Sequence, residues 1–175
     1  VRFVPTSLAG AFIVEPEPFA DERGVFARTF CAREFKDHGL VTTFVQCSTS
    51  WNARKGTVRG MHFQLAPACE VKLVRCTAGS LVDVIVDLRA DSPTYLQHTA
   101  VELSAASRRA LYIPGMFAHG FQTLEDATEI LYQMSEFYTP ELGSGLRWDD
   151  PRLGIRWPLA VTTMSDKDRS WSLLS

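Results

Sequence analysis

Hydrophobic and polar positions alternate in short runs along most of the chain, and turn-forming residues close each run. The segments "GVFARTF", "TTFVQCSTS", "GTVRGMHFQ", "VKLVRCTAG", "SLVDVIVDL", "HTAVELS", "RRALYIPG", "GFQTL" and "TEILYQMSEFY" are rich in β-branched and aromatic residues and read as strands. Many short strands at close spacing predict an antiparallel sandwich or barrel. The expected fold is all-β, a jelly-roll β-sandwich with a few short helices. "CAREFKDHG" at 31–39 holds good helix formers and ends in Gly39, so it predicts a short helix. The C-terminal stretch "DDPRLGIRWPLAVTTMSDKDRSWSLLS" is rich in Pro, Asp and Ser. It predicts a segment wrapped over the sheets, because Trp148, Trp157 and Trp171 would otherwise be exposed.

At 175 residues the chain has the length of one ordinary domain, taken as 1–175. Its 46% hydrophobic and 22% charged content, with a net charge of -2, give no bias toward nucleic acid or anionic membrane. An anionic ligand must then be held by a local basic site. The longest apolar run, 80–88, is broken by Asp83 and Asp87 and is too short to span a bilayer. The N-terminal residues lack the pattern of a secretory signal, and the expected location is cytoplasmic. Cys31, Cys47, Cys69 and Cys76 form no C-x-x-C pair and read as reduced, structural thiols.

A jelly roll leaves a cavity between its sheets or at its mouth, so polar residues on inward strand positions are the candidates for chemistry. In "GTVRGMHFQ", alternation puts Gly60, His62 and Gln64 on one face and Met61 and Phe63 on the other. A bulge at Gly60 would also turn Arg59 toward the His62 side. Lys72, Asp83, His119 and Tyr132 likewise interrupt apolar segments, where an unpaired charge costs several kcal/mol. Five such interruptions in five segments predict one lined cavity, although Asp83 and Lys72 also have the makings of a simple buried ion pair.

Metal-binding cupins, small jelly rolls, use an H-x-H pair, a Glu a few residues later and a distant His. The matching positions are His62, Gln64, Glu70 and His119. Gln64 is a weak ligand and Lys72 adds a positive charge, so no metal and no other cofactor is expected. An imidazole base, an ammonium and a tyrosine suit proton abstraction next to a carbonyl, and an Asp on the second imidazole nitrogen would fix its tautomer.

"GTVRGMHFQ", "VKLVR", "VDVIVDLR", "SPT", "LYIPGMFAHGFQTL", "EILYQMSEFYTPE", "WDDPRLGIRWP" and "SDKD" resemble, in order and spacing, the dTDP-4-dehydrorhamnose 3,5-epimerases. The resemblance runs from "DERGVF" at 21–26 to "SDKD" at 165–168. It implies a metal-free jelly-roll homodimer, an isomerase acting on a nucleotide-diphosphate sugar with a 4-keto-6-deoxyhexose. It further implies His62 as base, Asp168 as the partner of that base, Tyr132 as the opposed acid and Lys72 near the keto oxygen. Asp83 and His119 would complete the pocket. Arg23, Phe26, Gln46, Arg59, Tyr138 and Lys167 match positions that hold the nucleotide or its diphosphate, with Tyr138 stacked on the base. At three of the family's substrate-contact positions this chain departs: Arg28 and Gly143 replace the usual glutamates and Ser48 replaces an asparagine. An arginine can only donate hydrogen bonds and would suit cytosine N3, which raises a CDP-linked substrate as an alternative. Inversion at C3 alone or C5 alone is a second alternative, and a metal-dependent cupin a third.

Overall fold

The computed structural model describes residues 1–174. In chain order its strands are β1 (Arg2–Pro5), β2 (Phe12–Glu15), β3 (Phe19–Asp21), β4 (Gly24–Phe26), β5 (Gln46–Asn52), β6 (Val58–Gln64) and β7 (Lys72–Ala78). They continue with β8 (Ser80–Asp87), β9 (His98–Ser104), β10 (Ala110–Ile113), β11 (Phe117–Thr123), β12 (Thr128–Met134) and β13 (Gly143–Gly145). The helices are α1 (Ala32–Asp37) and α2 (Asp166–Arg169). A six-stranded sheet in the order β1-β2-β10-β7-β12-β5 faces a five-stranded sheet in the order β13-β6-β11-β8-β9, and β3 pairs with β4 as a separate hairpin. This is the expected jelly-roll sandwich.

The period-2 rule explains the layers. On β7, Val74 and Cys76 point inward to meet Leu81 and Ile85 of β8, Phe117 and Phe121 of β11, and Ile130 of β12 in the central core. Burying each such large apolar side chain contributes about 1.5–3 kcal/mol. The same alternation places Lys72, Asp83, His119 and Tyr132 on those inner faces, so the polar site continues the core toward one end of the sandwich.

Each outer face has its own cover. Leu73, Ala110 and Tyr112 on the six-stranded sheet are covered by Phe35 of α1 with Phe3, Phe30 and Phe44. Met61, Val84, Val86 and Ala118 on the five-stranded sheet are covered by Leu146, Leu153 and Trp157 of the C-terminal segment. Gln122, buried on that face, fastens the segment by donating to the Leu159 carbonyl and accepting its N–H, both at 2.9 Å. The expected wrapping of the C-terminal stretch is therefore present, and it sets α2 against β6.

The turn after β8 shows how a buried carboxylate is held when it is structural. Asp87 accepts from the Arg89 side chain and N–H and from Ser92 and Thr94 in "DLRADSPT". Burial pushes its pKa up, but these donors outweigh burial and hold the carboxyl well below the usual range. Among the described residues no helix is long and apolar enough to cross a membrane.

Candidate active site

The site is built on an irregularity in β6. His119 of β11 lies opposite His62, and Phe121 lies opposite Arg59, so two steps on β11 are matched by three on β6. The extra residue makes a bulge at Gly60, the condition under which Arg59 was expected to turn toward the His62 side. Gly60 has φ +133°, and a Cβ there would stand 2.5 Å from the Cα of Gly120. Glycine on both strands is what allows the backbones to approach. Past the bulge Met61 packs into the outer core while Arg59 and His62 both face the cavity between the sheets.

That cavity encloses about 390 Å³ and is walled by His62, Lys72, Tyr132 and Asp168, with Arg59, Tyr138, Gly143 and Lys167 also among its lining. His62 Nε2 lies 2.6 Å from Asp168 Oδ1, and the Gly60 N–H donates to Asp168 Oδ2 at 3.2 Å. Ser165, capping α2, accepts from the Asp168 N–H and so fixes the carboxylate's approach. Burial pushes the Asp168 pKa up, yet the His62 and Gly60 hydrogen bonds more than offset this and hold it below the ordinary value. With Nε2 engaged as donor to Asp168, Nδ1 is the imidazole nitrogen left with a lone pair.

Tyr132 stands on the opposing sheet. Burial first, and the Asp83 charge second, raise its pKa, so the phenol stays protonated through the neutral range. Its ring meets His119 edge-on, with centroids 5.9 Å apart. His119 Nε2 is 2.7 Å from Asp83 Oδ1, but neither atom has the alignment of a hydrogen bond. The anticipated Asp83–Lys72 ion pair does not form. Lys72 Nζ instead pairs with Glu70 Oε1 at 2.7 Å and lies 3.4 Å from the His62 carbonyl. The reason is the layering: Glu70 directly precedes β7, whereas Asp83 sits on the facing sheet beside the strand that carries His119.

Gln64, considered above as a position for a metal ligand, is already committed. Its amide donates to the Ala68 and Phe137 carbonyls and accepts the Thr139 N–H at 2.6 Å, which ties down the segment leading to Tyr138. Among the described residues no three His, Cys, Asp or Glu side chains converge as a metal site. Gln46 accepts the Tyr138 N–H at 3.1 Å, so β5 supports the rim from the other side.

Not every anticipated contact residue reaches the cavity. Ser48 is exposed on β5, opposite Tyr132 in register. Arg23 is paired with Asp21 and Phe26 is 75% exposed, both on the β3–β4 hairpin away from the cavity wall. Arg28 lies 3.4 Å from Glu34, also outside the wall. Conversely, Glu70, Glu136 and Trp171 line the cavity without having been singled out as substrate contacts. Trp171 lies directly on Gly145, where any side chain would collide with its ring, and Lys167 Nζ is 5.4 Å from the ring centroid. Only the tryptophan content of the tail hinted at this.

The family model described as dTDP-4-dehydrorhamnose 3,5-epimerase matches residues 5–175. A dTDP-4-dehydrorhamnose 3,5-epimerase of Methanothermobacter thermautotrophicus is 47% identical over 99% of this chain and 94% of its own length. The crystal structure of the Bacillus anthracis enzyme of that name, with TDP and PPi bound, superposes with TM-score 0.95 at 40% identity over 99% of each chain. A dTDP-6-deoxy-D-glucose-3,5-epimerase of Legionella pneumophila, in complex with dTDP-4-keto-L-rhamnose, gives TM-score 0.92 at 36% identity over 98% of this chain and 92% of its own.

Proposed function

Since the chain belongs to the dTDP-4-dehydrorhamnose 3,5-epimerase family and is an isomerase, we propose that its cavity takes a dTDP-linked 4-keto-6-deoxyhexose and inverts C3 and C5. The observation that supports this reading is an imidazole and a phenol on opposite sheets lining one cavity. His62 comes from the five-stranded sheet and Tyr132 from the six-stranded sheet. Inversion at carbon needs a proton removed from one face and returned to the other, and this arrangement supplies both.

In the proposed reaction the C4 keto group acidifies the hydrogens on C3 and C5. His62 Nδ1 takes one of them, Asp168 supports the imidazolium that forms, and the C–H electrons move into the carbonyl to give an enolate. Lys72 holds the enolate oxygen through charge. Tyr132 then delivers a proton to the carbon from the other face; the imidazolium gives its proton up to solvent and the phenolate takes one from it, which resets both groups. Arg59 and Lys167 supply the local positive charge that a diphosphate needs on a chain of net charge -2. Tyr138, 59% exposed at the rim, is placed to stack on a nucleobase.

The thymidine nucleotide is favoured because the two solved relatives described above hold TDP or a dTDP sugar. Arg28, the residue that raised CDP, is engaged with Glu34. The homodimer is proposed on the resemblance. It is supported by the hairpin, where Phe19 and Phe26 are 79% and 75% exposed, and by β5, which has one free edge. Light scattering that gives a monomer mass at micromolar concentration would remove that part.

The deciding test is incubation with dTDP-4-keto-6-deoxyglucose in deuterated water, followed by NMR. Deuterium entering both C3 and C5 is the expected result. Entry at one carbon makes the protein a single-site epimerase, and no entry overturns the dTDP reading and calls for the CDP sugar.

A further inference from the structure

Lys72 is a buried ammonium, its side chain only 10% exposed, in a cavity that solvent enters. A lysine side chain has four rotatable bonds, and an unheld ammonium would swing to water rather than stay at a cavity wall. Glu70 is what holds it, at 2.7 Å, with the His62 carbonyl as a second contact at 3.4 Å. Glu70 lines the same cavity with a side chain 8% exposed. Its second oxygen, Oε2, is buried with no hydrogen-bond partner from the protein. That is an expensive arrangement, since a buried carboxylate normally has its lone pairs satisfied, as the fully bonded Asp87 shows on the same chain. A residue present only to stabilise the fold would be better replaced by an apolar side chain.

We propose that Glu70 is a positioning residue for the epimerase reaction: it fixes the Lys72 ammonium beside His62, in the place where the enolate oxygen develops. The inference rests on the reading of the preceding subsection. Its physical content is preorganisation. The ammonium is already in position when the substrate enters, so little side-chain reorganisation is needed as charge builds on the oxygen. Of its three donors the ammonium directs one at Glu70 and one at the His62 carbonyl, which leaves one for the substrate.

Glu70→Gln keeps the shape and an acceptor oxygen but removes the charge. The expected result is a kcat lowered about tenfold or more with KM and dTDP affinity within about threefold, the pattern of an interaction that matters in the transition state. In a Lys72→Met background the same change should alter the rate of deuterium entry by less than about twofold, because the two residues act as one unit. The activity-independent readout is the 1H–15N signal of the Lys72 ammonium. It should be resolved in the wild type and lost or strongly shifted in Glu70→Gln. Wild-type kcat in Glu70→Gln, an equal fold-loss in both backgrounds, or an unchanged ammonium signal overturns the proposal. If the wild-type protein exchanges no substrate protons, the epimerase reading fails, while the ammonium signal still decides whether Glu70 holds Lys72.

Discussion

Two His–Asp pairs stand side by side in this molecule, and they differ in almost everything but composition. His62 and His119 face each other in register across β6 and β11, and their nitrogens lie 2.6 Å and 2.7 Å from Asp168 and Asp83. The His62 side chain is 47% exposed, whereas that of His119 is 5% exposed and that of Asp83 fully buried. Asp168 also receives the Gly60 N–H, while both Asp83 oxygens are without hydrogen bonds. The contrast separates what a dyad can do from what its residues are. An accessible imidazole with an aligned carboxylate can exchange protons with a substrate. A sealed pair acts only through its field, and here Asp83 adds to burial in raising the Tyr132 pKa. On the proposed mechanism the exposed pair makes the base and the sealed pair helps keep the acid protonated.

The sharpest way to break this division is His62→Ala, which should lower deuterium entry by about 10³-fold or more while dTDP affinity, measured by calorimetry, stays within a few-fold. Comparable turnover in the variant would remove His62 as the base. Tyr132→Phe should reduce formation of inverted product by about 10²-fold, yet deuterium should still enter from the His62 face. Loss of both together would mean that Tyr132 does not act as an opposed acid. Asp83→Asn should have the mildest kinetic effect, about tenfold. Its diagnostic is an ultraviolet tyrosinate titration in which Tyr132 ionises at lower pH than in the wild type. Because burial is the larger cause of the shift, the phenol should remain harder to ionise than a free tyrosine.

Much of this arrangement is visible in the alternation of the sequence. The long middle strands read clearly because seven or eight residues give several turns of the period-2 pattern, and "HTAVELS" coincides with β9. The helix expected at 31–39 is found as Ala32–Asp37, with Gly39 following at φ +69°. β1, β2 and β13 carry only three or four residues, too few for a period to show, and α2 is a four-residue turn that overlaps "SDKD" and ends at Arg169. Within the site, inward polar residues were legible as interruptions of apolar runs. Their partners were not, because pairing depends on which sheet each strand joins. Lys72 was read beside Asp83 alone, and only the topology brings Glu70 to it instead. The hairpin carrying Arg23 and Phe26 could not be placed from local pattern at all, since its position is set by tertiary contacts.

The smallest expected effect concerns acid stability, and it tests whether the exposed pair is also the better bonded one. Asp168 has a folded-state pKa below its ordinary value of about 3.9. A group whose pKa is depressed on folding binds its proton more weakly in the native state. Its contribution is thus fully present above the unfolded value and is lost as the pH falls through the folded one. Between neutral pH and about pH 4 the wild type should therefore be slightly more stable to urea than Asp168→Asn, and the gap should close below that range. If Asp168→Asn instead matches the wild type across that whole range, the His62 and Gly60 hydrogen bonds do not favour the charged Asp168 carboxylate in the folded protein.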